Sequence, residues 1–225
     1  MQGDRTSTAS SDAPPRQIAV SPNNPCPFLR ALVASGFIDG HIVPLPTLAR
    51  TIVAATGRAG LKRKLAALNT CLVAVIANGL SPLRQLRNAW FGPELDALRN
   101  GPLDKHGAGS RILDASAEVN ETELARLAEF GKDRPDPSGG TERGLNSRDI
   151  TAYMDANFVR AKGARRRIDR QLMKGEWPVL LDIMGKVEGG ERYLSVAEVR
   201  TLFTERRLPD RIARRIAVQP PLNTL

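Results

Sequence analysis

Apolar side chains recur every three or four positions through most of the chain, and glycine or proline separates one such run from the next. Spacing of this kind is typical of amphipathic helices. It predicts a helix over 48–55 that ends at Gly57 and a second helix over 61–77. A third helix is predicted to begin with Ser81 as N-cap and to continue to about residue 90. Cys71 lies within the second run and is interpreted as a core residue.

The second half of the chain shows clearer helix starts. Asn120 and Ser195 each precede a glutamate by three residues, which is the spacing of an N-terminal capping motif. Further helices are predicted over 150–161 and 164–174, and an apolar stretch covers 177–184. Because no long segment alternates apolar and polar residues, the sequence predicts an all-α protein with many short helices.

The length of 225 residues is sufficient for one sizeable core, and the composition does not require a second domain. We expect a disordered tail over 1–22, one compact helical domain over 23–218, and a short tail over 219–225. The N-terminal segment lacks the apolar stretch of a secretory signal, and two cysteines do not indicate a disulfide framework. These features favour a cytoplasmic protein.

Cys26 lies between two prolines, directly before an apolar stripe over 28–33. Pro27 suits the first position of a helix because its missing N–H needs no partner there, so Cys26 is expected at the N-cap and Gly36 at the helix end. The unpaired N–H groups of the first turn and the helix dipole would favour a thiolate at this position. The sulfur is therefore a candidate nucleophile or metal ligand, and the alternative is a structural cysteine.

The sequence Pro25-Cys26-Pro27, a leucine-bearing helix and the step Gly36-Phe37-Ile38 follow one another here. This order resembles the proximal segment of the heme-thiolate peroxidases, the family of the chloroperoxidases and unspecific peroxygenases. The resemblance implies heme b as cofactor, with Cys26 as the axial thiolate ligand of the iron. It also implies that hydrogen peroxide is used to oxidise or oxygenate a small organic substrate, because thiolate ligation favours cleavage of the O–O bond.

The segment Ile-Leu-Asp-Ala-Ser that begins at Ile112 resembles the family's second motif, Glu-His-Asp-Ala-Ser or Glu-Gly-Asp-Ala-Ser. In the family this motif holds a divalent cation against a heme propionate, so the resemblance places Asp114 and Ser116 at the cofactor. Because Ile112 and Leu113 replace the glutamate and the histidine or glycine, a divalent-cation site is expected to be absent or weak. Arg111 could instead neutralise a propionate directly. The alternative role of Asp114 and Ser116 is local capping of a turn.

The segment from Tyr193 to Asp210 resembles the closing helix of the peroxygenases, so the three segments occur in family order. Family order places the distal acid–base carboxylate before this last segment. Glu176 is the first candidate, because the apolar residues that follow it would desolvate the carboxyl and raise its pKa. Asp182 is the second choice, and Glu188 is expected to be solvated. The alternative for Glu176 is an exposed first-turn carboxylate that the helix dipole favours.

The net charge of +9 raises the hypothesis of nucleic-acid binding. The densest basic stretch, Arg160–Lys174, has no interleaved aromatic residues to stack on bases, so a solvated helix face is the better interpretation. His106 is interpreted as a surface or structural residue. An acidic, glycine-rich loop before Glu198 suggests an EF-hand, but the count places Arg192 where the turn glycine belongs, which argues against calcium binding. No run is long enough to span a membrane, and no membrane partner is expected.

Together these observations predict a heme-thiolate peroxidase or peroxygenase. Because the glutamate and histidine of the second motif are missing, the alternative is a non-catalytic heme-binding or heme-sensing protein. A third hypothesis is a basic helical interaction protein without heme, in which Cys26 only begins a helix.

Overall fold

The computed structural model describes residues 18–99, 101–102, 104, 110–160 and 176–218. The first half of this chain is helical. A glycine ends one of its helices, and a serine caps the start of another. The elements are α1 (Pro27–Ala34), α2 (Leu45–Thr56), α3 (Gly60–Ile76), α4 (Pro82–Phe91) and a short 3-10 turn (Leu95–Ala97). Gly57 ends α2 in the left-handed conformation, with φ of 64°. The Ser81 hydroxyl accepts a hydrogen bond from the Arg84 N–H at the start of α4.

The second half contains a four-stranded antiparallel sheet, so the predicted all-α class is wrong. Its strands are β1 (Lys132–Pro135), β2 (Thr141–Asn146), β3 (Lys186–Glu188) and β4 (Glu191–Ser195), in the order β1-β2-β4-β3. Each strand has three to six residues, and the outer strands β1 and β3 are mostly exposed. Strands this short and this polar give no alternating apolar pattern that the sequence could reveal.

Each hairpin of the sheet lies between two helices, so one arrangement occurs twice. The first unit is α5 (Glu121–Phe130), β1, β2 and α6 (Ser147–Arg160), and the second is α7 (Glu176–Met184), β3, β4 and α8 (Val196–Thr204). The inner strands β2 and β4 pair around Leu145 opposite Leu194, and both leucines are buried. A helix cap follows each leucine, because the side chains of Asn146 and Ser195 accept hydrogen bonds from N–H groups three residues later.

The acidic residues at the starts of α6 and α8 pair with arginines. Asp149 lies 2.5 Å from Arg134, and Glu198 lies 2.5 Å from Arg211. These carboxylates occupy the third helical position, where an EF-hand directs its last carboxylate to calcium. In this fold guanidinium groups neutralise them instead.

A row of aromatic side chains forms the centre of the core. Phe130, Tyr153, Trp177 and Phe203 follow one another with ring centroids 5.4, 5.3 and 6.3 Å apart. They come from α5, α6, α7 and α8 in turn, so the row joins both helix–hairpin–helix units. The last helix, α9 (Asp210–Ala217), packs against α2 from the other half of the chain.

The expectation that Cys71 is a core residue is wrong, and the helix that contains it is mostly exposed. The leucines of α3 are exposed, and the helix buries only Ala74. Cys71 is half-buried and does not belong to the core. Small residues such as alanine are sufficient for α3 to pack on its neighbours, which leaves its larger side chains outside.

Several predicted features lie outside the described residues. They are residues 1–17 of the predicted tail over 1–22, His106, the helix over 164–174 with most of the basic stretch, and the tail over 219–225. Within the part that is described, no helix has both the length and the apolar character needed to cross a bilayer.

Candidate functional site

Cys26 is the N-cap of α1, as the sequence predicts, with Pro27 as the first helical residue. The residue is half-buried, and its own N–H donates a hydrogen bond of 3.2 Å to the side-chain oxygen of Asn24. The backbone N–H groups of Phe28 and Leu29 interact favourably with the sulfur. The sulfur accepts no capping hydrogen bond in this structure, so these N–H groups act on it electrostatically.

Burial nevertheless raises the pKa of the Cys26 thiol to about 12, and the nearby charge of Glu176 acts in the same direction. The N–H groups of Leu29 and Phe28 lower it, but by less. At neutral pH the free sulfur is consequently a neutral thiol, because burial outweighs the expected effect of the helix start. A coordinated metal ion would remove the proton outright, so the site suits a metal ligand better than a free nucleophile.

Glu176 is the first residue of α7, directly before the buried Trp177. Desolvation raises the pKa of its carboxyl to about 7, and Asp104 adds to this shift. The residue as a whole remains exposed, so solvent screens part of the effect. Its charge also raises the pKa values of Cys26 and Tyr153. The fold thus brings Glu176 into electrostatic contact with Cys26, although the two are distant in sequence.

The other two candidate carboxylates do not share this environment. Asp182 forms an ion pair of 2.5 Å with Arg58, at a partly exposed position. Glu188 is exposed at the end of β3, next to the glycine turn. Of the three predicted candidates, only Glu176 contributes to the electrostatics of Cys26.

The second predicted motif forms a closed turn. Asp114 Oδ1 accepts hydrogen bonds from the N–H groups of Ser116 and Glu118, at 2.8 and 2.9 Å. Ile112 is completely buried, so the family's glutamate is replaced by a core residue. Arg111 donates a hydrogen bond of 2.6 Å to the carbonyl of Arg160. Asp114 therefore has the local capping role that the alternative interpretation assigned to it.

A cavity with two arginines and one glutamate in its wall lies beside Ser116, one of the predicted cofactor residues. It has a volume of about 480 Å³, and Arg30, Ser116, Phe203 and Arg206 contribute to its wall. Arg30 is buried on α1 and donates hydrogen bonds to the carbonyls of Ser21 and Asn24. Its pKa is lowered to about 10 by burial and by the charges of Arg206 and Arg99. An arginine within the apolar stripe of α1, four residues after Cys26, was the available sequence signal.

Metal ligands other than Cys26 are not assembled in the described part of the chain. There, no three side chains of histidine, cysteine, aspartate or glutamate lie close enough together to hold a metal ion. Heme requires only one axial protein ligand to its iron, so the lack of a three-residue cluster among the described residues does not argue against it. The turn at Asp114 does not offer the carboxylate pair that a hard divalent cation prefers.

No protein-family model, curated protein or solved structure matches this chain. The resemblance to the heme-thiolate peroxidases therefore rests on the three short segments, and the function must be argued from the site.

Proposed function

We propose that this protein binds heme b through Cys26 and acts as a heme-thiolate peroxidase or peroxygenase. One observation carries the proposal: the sulfur lies at the N-terminus of α1, where the Phe28 and Leu29 N–H groups favour its charged form, and Glu176 lies within electrostatic reach. A ligand thiolate and a carboxyl that titrates near neutral pH are the two protein groups that this chemistry requires.

The groups that would hold the carboxylates of heme differ from those predicted by sequence. Arg111 already bonds to the Arg160 carbonyl. Arg30 and Arg206 instead contribute cations to the wall of a cavity that Ser116 also lines. Arg30 also donates to two carbonyls, so the choice of these two arginines rests on their place in the cavity wall, where guanidinium groups can pair with carboxylates. Asp114 keeps its role in the turn and holds no cation in this proposal.

Glu176 would move protons in the proposed reaction. A carboxyl with a pKa of about 7 can both accept and release a proton at neutral pH. Bound heme would supply the redox chemistry with hydrogen peroxide, and an organic molecule would be the second substrate.

A non-catalytic heme-binding or heme-sensing protein is the second candidate. The turn at Asp114 favours it, because both N–H bonds to Asp114 Oδ1 come from the turn itself and Ile112 has replaced the motif's acid. In that case Cys26 would still bind heme, but Glu176 would have no role in peroxide chemistry.

Heme binding can be tested with the two cysteines of the chain as matched variants. Purified protein is titrated with hemin, and the absorption spectrum of the ferrous carbon monoxide complex is recorded. We expect the red-shifted Soret band of thiolate ligation in the wild type and in Cys71→Ala, and its loss in Cys26→Ala. An unchanged spectrum and stoichiometry in Cys26→Ala would refute the ligand assignment.

The catalytic step needs a separate comparison. Heme-loaded Glu176→Gln and Asp182→Asn are mixed with hydrogen peroxide in a stopped-flow instrument. We expect Glu176→Gln to slow the reaction by about 10²-fold, the usual contribution of a general acid or base, with unchanged heme content. Asp182→Asn should react as the wild type does. Equal rates in all three proteins would favour the non-catalytic candidate.

A further inference from the structure

Helices α3 and α4 carry a set of large apolar side chains that are exposed to solvent. Their exposed fractions run from 41% to 81%. We call this set the α3–α4 face; its members are Leu61, Leu65, Leu68, Leu72, Val73, Leu80, Leu83, Leu86, Trp90 and Phe91. Single exposed apolar residues are ordinary, but nine of them on two neighbouring helices, with Leu80 in the turn between, indicate an interaction surface.

The two helices are anchored by their other sides. Asn88 is buried and donates hydrogen bonds to the carbonyls of Ala74 and Val75 at the end of α3. Arg84 bonds to the carbonyl of Asn78 in the turn between the helices. Because small and polar residues make the contacts that hold the hairpin, its leucines are not needed for folding.

The charged residues of α3 and α4 are all basic, although Arg87 pairs with Glu94. No aspartate or glutamate occurs between Asp39 and Glu94, whereas that interval contains seven lysines and arginines. Lys62, Arg63 and Lys64 are exposed at the start of α3, and none of the ion pairs that the structure describes includes them. A second copy of the chain would bring an equally cationic face, which charge repulsion disfavours. An anionic surface is the complementary partner.

We infer that the α3–α4 face binds the surface of a membrane that contains anionic lipids. Helices with leucine, tryptophan and phenylalanine on one side and lysine and arginine beside them lie in the interface of such membranes. This inference does not rest on the proposed heme function. It departs from the expectation of no membrane partner, which considered only spanning segments.

Trp90 provides a direct probe of this contact. The chain has two tryptophans, of which Trp90 is 79% exposed and Trp177 is 2% exposed. On addition of vesicles made of phosphatidylcholine and phosphatidylglycerol we expect a blue shift of the emission and co-sedimentation of the protein. Phosphatidylcholine vesicles alone should give neither. Trp90→Phe should abolish the shift and leave most of the sedimentation.

Matched variants separate the apolar from the electrostatic contribution. Leu83→Gln/Leu86→Gln should weaken partitioning into anionic vesicles at least about tenfold, since two side chains lose their apolar contact. The control Val187→Gln/Val218→Gln changes two exposed apolar residues elsewhere and should have no effect. All four positions are exposed, and circular dichroism checks that the variants fold.

Charge is tested in the same way. Lys62→Gln/Lys64→Gln should weaken partitioning by about 25-fold, because each basic residue near an anionic membrane contributes about fivefold. The control Arg148→Gln/Arg207→Gln removes the same charge at exposed positions outside the face.

Three results would overturn the inference. One is equal binding to zwitterionic and anionic vesicles, and another is unchanged binding by the Leu83/Leu86 variant. The third is a stable dimer in sedimentation velocity in which Trp90 is shielded from quenchers and vesicles do not bind, since a second copy would then occupy the face.

Discussion

Replacement of Arg134 by alanine should be among the most destabilising single changes in the sheet. The Arg134 Nη2 atom lies 2.5 Å from Asp149 Oδ2, and both side chains are about nine-tenths buried. Arg134 also donates to the Gly144 carbonyl at 3.1 Å and lies over the ring of Tyr193 at 5.9 Å. The variant would leave the Asp149 carboxylate buried without its main counter-charge.

Removal of one partner from a buried ion pair costs about 3–5 kcal/mol. Two groups reduce that cost here. The Asn146 N–H donates to Asp149 at 3.0 Å, and the exposed Lys132 lies 4.0 Å from the carboxylate and can approach it. We therefore expect the lower end of the range, about 3 kcal/mol. With a urea dependence of about 2 kcal/mol/M, the unfolding midpoint should fall by about 1.5 M.

Arg143→Ala is the matched control, because Arg143 lies on the same hairpin and pairs with Asp133 at an exposed position. An exposed pair contributes about 0–1 kcal/mol. Urea unfolding followed by far-UV circular dichroism measures both variants, and Arg134→Ala/Asp149→Asn should recover part of the loss. Equal midpoints for Arg134→Ala and Arg143→Ala would show that burial of this pair has no energetic consequence.

Two further predictions concern Glu176 and Gly92, with Gly140 as the control for Gly92. The pKa of Glu176 is about 7 in the folded protein against an ordinary value of 4.5, so ionisation of this carboxyl opposes folding. The neutral carboxyl therefore contributes stability that is fully present below pH 4.5 and is lost as the pH rises through 7. The shift limits this pH-dependent change in the free energy of unfolding to about 3.4 kcal/mol, and since the residue is exposed we expect about 1–2 kcal/mol. Melting curves between pH 5 and 8 should show this change in the wild type and lack it in Glu176→Gln. Gly92→Ala would place a Cβ 1.9 Å from the Val43 carbonyl oxygen and should lower the melting temperature by about 10 °C, from a loss of about 3 kcal/mol. At Gly140, where φ is also positive but the space is open, the same change should cost only about 1 kcal/mol.

The sequence predicted helix ends well, because single residues determine them. Gly57 ends α2, Ser81 caps α4, Asn120 caps α5 and Ser195 caps α8, each at its expected place. These signals act over one turn of the chain. They therefore survive whatever tertiary contacts the helix later makes.

The sheet was missed because its information is not local. The pairing of Leu145 with Leu194 joins two hairpins whose own sequences are short and polar. The glycine pairs 139–140 and 189–190 each connect two strands, but their sequences do not distinguish a hairpin turn from an ordinary loop. A strand of three residues such as Lys186–Glu188 is defined by its partner and not by its composition.

The pattern of apolar residues also could not predict which of these residues are buried. The spacing of Leu61, Leu65, Leu68 and Leu72 shows correctly that they share a helix face, but spacing carries no information about what covers that face. The same limit applies to Cys26. Its N-cap position follows from Pro27, whereas the desolvation that raises its pKa depends on the packing of distant elements.

The burial of Cys26 decides which chemistry is open to it. A thiol with a pKa of about 12 is almost entirely protonated at neutral pH, so it is a poor nucleophile and is protected from oxidation by the same means. Coordination to a metal ion changes that balance, since the bond to the metal replaces the bond to the proton. The proton must then be accepted nearby, and Glu176, with its pKa of about 7 and its charge within reach of the sulfur, can accept it. Loss of the Glu176 charge on protonation would in turn remove a repulsion that opposes the thiolate. Protonation of Glu176 and deprotonation of Cys26 would thus assist each other, and the proposed ligand site would use this coupling.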